Sequence, residues 1–148
     1  MILRRATEED CGALSALQRA AYAENAKILG ATPIPLQADY ARILRDMEVW
    51  LAGGRESPDG ALILEFRPDD MLIWSVSTHP RARGTGGGRG LLALAEKRAR
   101  DEKRAVIRLY TASVYLKNID WYARHGFVEE SREALPDRVI VNMIRKLD

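Results

Sequence analysis

Between His79 and Leu92 the chain reads His-Pro-Arg-Ala-Arg-Gly-Thr-Gly-Gly-Gly-Arg-Gly-Leu-Leu, with five glycines and three arginines in one short stretch. An apolar run, Met71 to Val76, precedes it, and a helical pattern, Leu91 to Arg100, follows it. Glycine tolerates positive φ and lets a ligand approach the backbone with no Cβ in the way. A strand, a glycine turn and a helix start in this order aim backbone N–H groups outward, where the helix dipole also favours an anion. The stretch therefore predicts a site for a phosphorylated ligand. Its plain alternative is a flexible connector between a strand and a helix.

Two familiar phosphate loops are disfavoured by spacing. A P-loop ends in Gly-Lys-Ser/Thr, and no lysine occurs between Lys27 and Lys97. A dinucleotide-binding turn can be laid loosely on Gly84, Gly86 and Gly88 or Gly90, but it needs an acidic residue about 20 positions on, closing a second strand. The acids nearest that distance, Asp101 and Glu102, fall at the end of the helical pattern instead.

The remaining sequence sets bounds. A chain of 148 residues is expected to form a single domain over residues 1–148, large enough to bury about 70% of its unfolded surface. With 47% hydrophobic and 30% charged residues it has the composition of a globular protein. No apolar run approaches the ~20 residues of a membrane span. The N-terminal residues show no signal-peptide core, so a cytoplasmic location without membrane association is expected. Cys11 is the single cysteine and His79 and His125 the only histidines, which argues against cysteine or zinc clusters and leads us to expect no metal. The +2 net charge is spread along the chain, whereas a nucleic-acid partner usually calls for a clustered basic face.

Periodicity and turn signals organise the chain into one α/β unit. Met1 to Arg5 reads as a short strand. Thr7 and Asp10 resemble a capping box before an apolar helical face through Leu14, Leu17 and Ala21 to about Tyr22. Pro33 and Pro35 break the pattern, and a second helix is expected from about Gln37 to Met47. Strands are expected at 48–52, 61–66 and 71–77, with Ser57-Pro58-Asp59-Gly60 as a turn. After the glycine loop come a helix, a strand over 105–110, and a short helix over 116–124 ended by His125-Gly126. A strand pair over 127–132 and 138–144 closes the order β-α-α-β-β-β-α-β-α-β-β.

These residues resemble the GNAT superfamily of acetyl-CoA-dependent N-acetyltransferases over essentially the whole chain. The family signature Arg/Gln-x-x-Gly-x-Gly/Ala is met by Arg83-Gly84-Thr85-Gly86-Gly87-Gly88. The preceding strand appears as Val76-Ser77-Thr78-His79-Pro80, and the following helix as Leu91-Leu92-Ala93-Leu94-Ala95-Glu96. A late block is found as Leu109-Tyr110-Thr111, then Asn118 through Tyr122 to Gly126-Phe127. Ala21-Tyr22, Pro33, Pro35 and Asp39-Tyr40 further resemble a bacterial branch of mostly unassigned substrate. The resemblance implies a mixed sheet of about seven strands with flanking helices, acetyl-CoA as co-substrate, a small-molecule amine as acceptor, and leaves room for a homodimer.

Acetyl transfer from a thioester to an amine needs a deprotonated amine, a stabilised oxyanion and a proton for the departing thiolate. The resemblance places the cofactor pyrophosphate on the amides of Arg83, Gly84, Thr85, Gly86, Gly87 and Gly88. It sets the pantetheine along the backbone of Val76, Ser77 and Thr78, in the manner of an added strand. Asn118 is expected to bind the cofactor and Tyr122 to act as acid toward the thiolate. Many relatives carry a glutamate base on the fourth strand, where this chain has Trp74. Glu65, Asp69, Asp70, Glu24, Asp39 or a water chain are the substitutes considered. Trp74 suggests an acceptor with an apolar or aromatic body, while Trp50 and Trp121 read as packing. The lost glutamate also keeps open a non-catalytic acyl-CoA sensor of the same fold.

Overall fold

A computed structural model describes residues 2–148. Seven strands and four helices follow one another as β1 (Leu3–Arg5), α1 (Cys11–Leu29), α2 (Tyr40–Asp46), β2 (Glu48–Gly53), β3 (Pro58–Phe66), β4 (Met71–Thr78), α3 (Gly87–Asp101), β5 (Val106–Ala112), α4 (Leu116–Arg124), β6 (Val128–Ala134) and β7 (Val139–Lys146). This is the predicted order. The strands form one mixed sheet, β1-β2-β3-β4-β5-β7-β6. Every neighbouring pair is antiparallel except β4 and β5. A parallel pair needs a crossover, and α3 supplies it.

β3 shows how the sheet divides the core. Leu62 and Leu64 point to one face and meet Leu91, Ala95, Leu109 and Phe127, whereas Ala61 and Ile63 point to the other and meet Leu14, Leu17, Tyr40 and Ile43. A central strand covered by helices on both sides reads as an uninterrupted apolar run, and Ala61-Leu62-Ile63-Leu64 is that run. Thus α3 and α4 cover one face, and α1 and α2 the other. Cys11 packs at the edge of the second cluster, in keeping with a structural residue. Among the described residues, no helix is long and apolar enough to cross a membrane.

Three local expectations are corrected. The first helix runs well past Tyr22 to Leu29, because its stop signal is Gly30, which takes φ +70° and closes onto the Ala26 carbonyl. The second helix begins at Tyr40, not near Gln37. Asp39 caps it by accepting from the Arg42 N–H, and Pro33 and Pro35 direct the preceding residues into a separate 3-10 turn, Ile34–Leu36. The proline-containing stretch expected as a turn instead opens β3 at Pro58. There Gly60 pairs with Thr78, and a Cβ on it would come within 3.1 Å of the Leu91 side chain and of the Ser77 carbonyl.

The start of α1 carries a pH-sensitive anchor. Asp10, buried, accepts from both terminal nitrogens of Arg4 at 2.8 and 3.0 Å and from the Thr7 N–H at 2.8 Å. The Arg4 hydrogen bonds outweigh desolvation and hold the carboxyl at about 2. A carboxylate depressed in the folded state contributes stability above its unfolded pKa, and this is lost as pH falls through the folded value. Asp10→Asn should therefore cost about 2 kcal/mol at neutral pH. In chemical denaturation the gap to the parent protein should close between roughly pH 4 and 2. A gap unchanged over that window would mean that Asp10 contributes through shape alone.

Candidate active site

The two parallel strands are hydrogen-bonded only at Met71↔Ile107, Leu72↔Arg108 and Ile73↔Leu109. Beyond that point β4 stays with β3 through Thr78, and β5 stays with β7 through Ala112. The edge of β4 from Trp74 to Thr78 is thus left without a strand partner. The sheet parts, and a cleft of about 640 Å³ opens between the diverging strands. Its walls come from β4, β5, α1, α4 and the Pro33–Pro35 segment.

A bulge sets the chemistry of the β4 wall. Ile63 pairs with Ser75 while Leu64 pairs with Ile73, so Trp74 is an extra residue with no opposite number on β3. Two consecutive side chains, Trp74 and Ser75, consequently turn toward α1 and α2. Trp74 packs edge-on to Tyr40 with ring centroids 6.3 Å apart. Ser75 accepts from the buried Gln18 Nε2 at 3.0 Å and shares a 2.9 Å hydrogen bond with Tyr22, while Ser77 donates to Gln18 Oε1 at 2.6 Å. Burial pushes the Tyr22 phenol up to about 12. This network was not read from the sequence. Its signal was a glutamine and a tyrosine four residues apart on the otherwise apolar face of α1, a spacing that brings them side by side.

At one end of the cleft the glycine loop has the backbone its composition called for. Gly84 and Gly86 adopt φ +80° and +85°, with nothing within 4 Å of where a Cβ would stand, and Gly86 is the N-cap of α3. The first N–H groups of α3 have no partner within the helix. Arg83 ties the loop to α1, donating to the Ala21 carbonyl at 2.9 Å and to Glu24 at 3.5 Å. Thr85 closes the turn by donating to the Ala82 carbonyl. Of this segment Arg83 and Gly88 line the cleft, Gly84 to Gly86 form the adjoining turn, and Gly87 opens α3. Gly88 has an additional role: a Cβ there would approach the Trp121 ring at 3.1 Å, so its bareness lets α3 pack on α4.

The α4 wall holds Asn118, in the first turn, and Tyr122. Tyr122 lies between Trp121 and Phe127, ring centroids 5.2 and 5.9 Å away. Burial raises its pKa, with a lesser contribution from Tyr22 across the cleft, so the phenol keeps its proton at neutral pH. Val76 packs with the α3 and α4 cluster. Val76, Ser77, Thr78, Asn118 and Tyr122 therefore converge on the same opening. Trp121 both packs and lines that opening, whereas Trp50 only packs, donating to Glu48 at 2.8 Å.

The substitutes considered for a base are mostly elsewhere. Asp39 caps α2, and Asp70 is held between Arg67 and Arg108. Glu65 and Asp69 do not line the cleft, and Glu24, which does, is turned toward Arg83. Among the described residues no group of three or more metal-binding side chains comes together.

A split sheet, a glycine turn at a helix start and a phenol lining the split thus meet at one cleft. The chain matches the model of the Acetyltransferase (GNAT) family over residues 13–127 and belongs to that family. No curated protein matches the chain. Among solved structures it is similar to PaiA N-acetyltransferase from Thermoplasma acidophilum in complex with coenzyme A (17% identity, 98% of each chain, TM-score 0.80). It is also similar to ribosomal-protein-alanine N-acetyltransferase from Brucella melitensis (24% identity, 99% of this chain and 100% of that one, TM-score 0.73). A partial likeness to nourseothricin acetyltransferase (20% identity, TM-score 0.63) takes in 70% of this chain and 66% of that one, just under two thirds of its length. At these identities the likeness is one of fold.

Proposed function

We propose that the protein transfers an acetyl group from acetyl-CoA to the primary amine of a small molecule. The observation that carries the reading is the parting of β4 from β5, with the glycine loop at one end and the Tyr122 phenol facing the gap. The open edge of β4 suits an extended pantetheine chain, which would pair as a strand does. The amides from Arg83 to Gly88 suit its pyrophosphate. In this reading the amine nitrogen forms a bond to the thioester carbonyl carbon, the carbon–sulfur bond breaks, and Tyr122 gives its proton to the leaving thiolate. The proton shed by the nitrogen passes by way of solvent to the Tyr122 phenolate and restores the phenol.

Arg83 is paired with Glu24 and Arg138 with Asp137, while Lys117 lines the cleft with no ion-pair partner among the described residues. A positive charge so placed disfavours an ammonium ion and lowers the pKa of a bound amine. In this reading the acceptor enters as the free base. The scarcity of carboxylates in the cleft is also what a silent acyl-CoA sensor would show.

One experiment separates the two readings: thermal scans with CoA, with and without EDTA, alongside thiol release from acetyl-CoA over a panel of primary amines. CoA at about 100 times its Kd should stabilise the fold by about 2.7 kcal/mol, irrespective of chelator. Thiol release should require an amine. Stabilisation without turnover on any amine would make the protein a sensor, and no stabilisation at all would remove the cofactor assignment.

A further inference from the structure

Resting on the acetyl-transfer reading, we propose that the acceptor amine also carries a carboxylate on an aromatic or apolar body, the acid being received by Arg138. Strand alternation sorts the two sides of the opening. Leu109, like Tyr122, belongs to the α3 and α4 side; Tyr110 and Trp74 belong to the opposite side, with Tyr22 of α1. The cofactor loop serves the former, which leaves the latter for the acceptor. There the wall is apolar or aromatic, made by Ile34, Trp74, Tyr110 and Ile140.

A guanidinium breaks that wall. Arg138, whose side chain is 10% exposed, gives Nε and Nη2 to Asp137 at 2.9 and 2.8 Å and Nη2 also to the Thr32 carbonyl at 2.9 Å. Its Nη1 has no protein partner among the described residues. An Arg edge of this kind in the cleft lining is a receptor for a carboxylate oxygen.

A buried hydroxyl network backs this side of the opening. Gln18 Oε1 accepts from Ser77 and Gln18 Nε2 donates to Ser75, while Ser75 and Tyr22 share a 2.9 Å hydrogen bond in which either hydroxyl can donate. The network holds the Tyr22 ring in the wall. An amino acid with an aromatic side chain matches both the wall and the guanidinium edge.

The test compares L-phenylalanine with L-phenylalaninamide as acceptors, by thiol release from acetyl-CoA. With each kcat/KM expressed per free-base amine, because the amide's amino group is the less basic of the two, a charge-assisted hydrogen bond should favour the acid by about 10- to 100-fold. In Arg138→Gln the acid-to-amide ratio should fall toward one, and Arg138→Lys should restore part of it. Because the ratio is taken within each variant, loss of folded protein cancels. A parent ratio near or below one, or a ratio unmoved by Arg138→Gln, overturns the proposal. If neither compound releases thiol, calorimetric titration of both into the CoA-loaded protein decides. Arg138-dependent preference for the acid would sustain this inference while the transfer reading falls; no preference would end it.

Discussion

Replacing Tyr122 by Phe should lower kcat by about 10²–10⁴-fold, the range associated with a positioned general acid. The change removes one hydroxyl and almost no volume. The ring contacts with Trp121 and Phe127 should survive, and with them the stability of α4 on the sheet. The hydroxyl acts on charge that develops on sulfur in the transition state, so the Kd for CoA should move far less than kcat. Burial that raises the phenol's pKa keeps the proton in place at neutral pH. A thiolate leaving into the same desolvated space also has a raised pKa, which keeps the two matched. Single-turnover measurements with a good acceptor check the prediction at the chemical step. A variant that reacts at the parent rate would reduce Tyr122 to a packing residue.

What could be read from the sequence followed from short-range signals. The glycine loop, the helix it opens and the two closing strands are written in local spacing, and the family blocks around Arg83 and Tyr122 are contiguous. The start of α2 was missed because the helix opens at the Asp39 cap and not where the proline segment ends. The polar network between α1 and β4 was missed for a different reason. Gln18 lies 57 and 59 positions from Ser75 and Ser77, and no window along the chain brings them together. The bulge that turns Trp74 and Ser75 to the same side is likewise a property of pairing with β3. Arg138 was not singled out either; only the parting of β4 and β5 makes it part of a wall.

Trp74 links these layers. The indole cannot take a proton, and Glu24, the carboxylate that lines the cleft among the described residues, is turned toward Arg83. In the proposed reading the Lys117 charge compensates by favouring a neutral amine. A residue that removes a base can therefore coexist with turnover, provided the amine arrives neutral.

The glycine loop should respond differently at its two central positions. Gly86→Val should raise the Kd for CoA by about 10²-fold or more, since losing even two charge-assisted hydrogen bonds from a reshaped loop amounts to about 3 kcal/mol. The reshaping is forced: Gly86 sits at φ +85°, where a β-branched residue is an outlier, although nothing stands within 4 Å to resist the side chain itself. The fold should consequently survive with a modest fall in Tm. Gly88→Val begins from an ordinary helical backbone but drives its side chain into Trp121, and overpacking of this kind costs about 1–3 kcal/mol. That substitution should lower stability even when no cofactor is present. Calorimetric titration with CoA and thermal scans of the unliganded variants read the two effects separately. Parent-like affinity in Gly86→Val would show that the loop is only a connector.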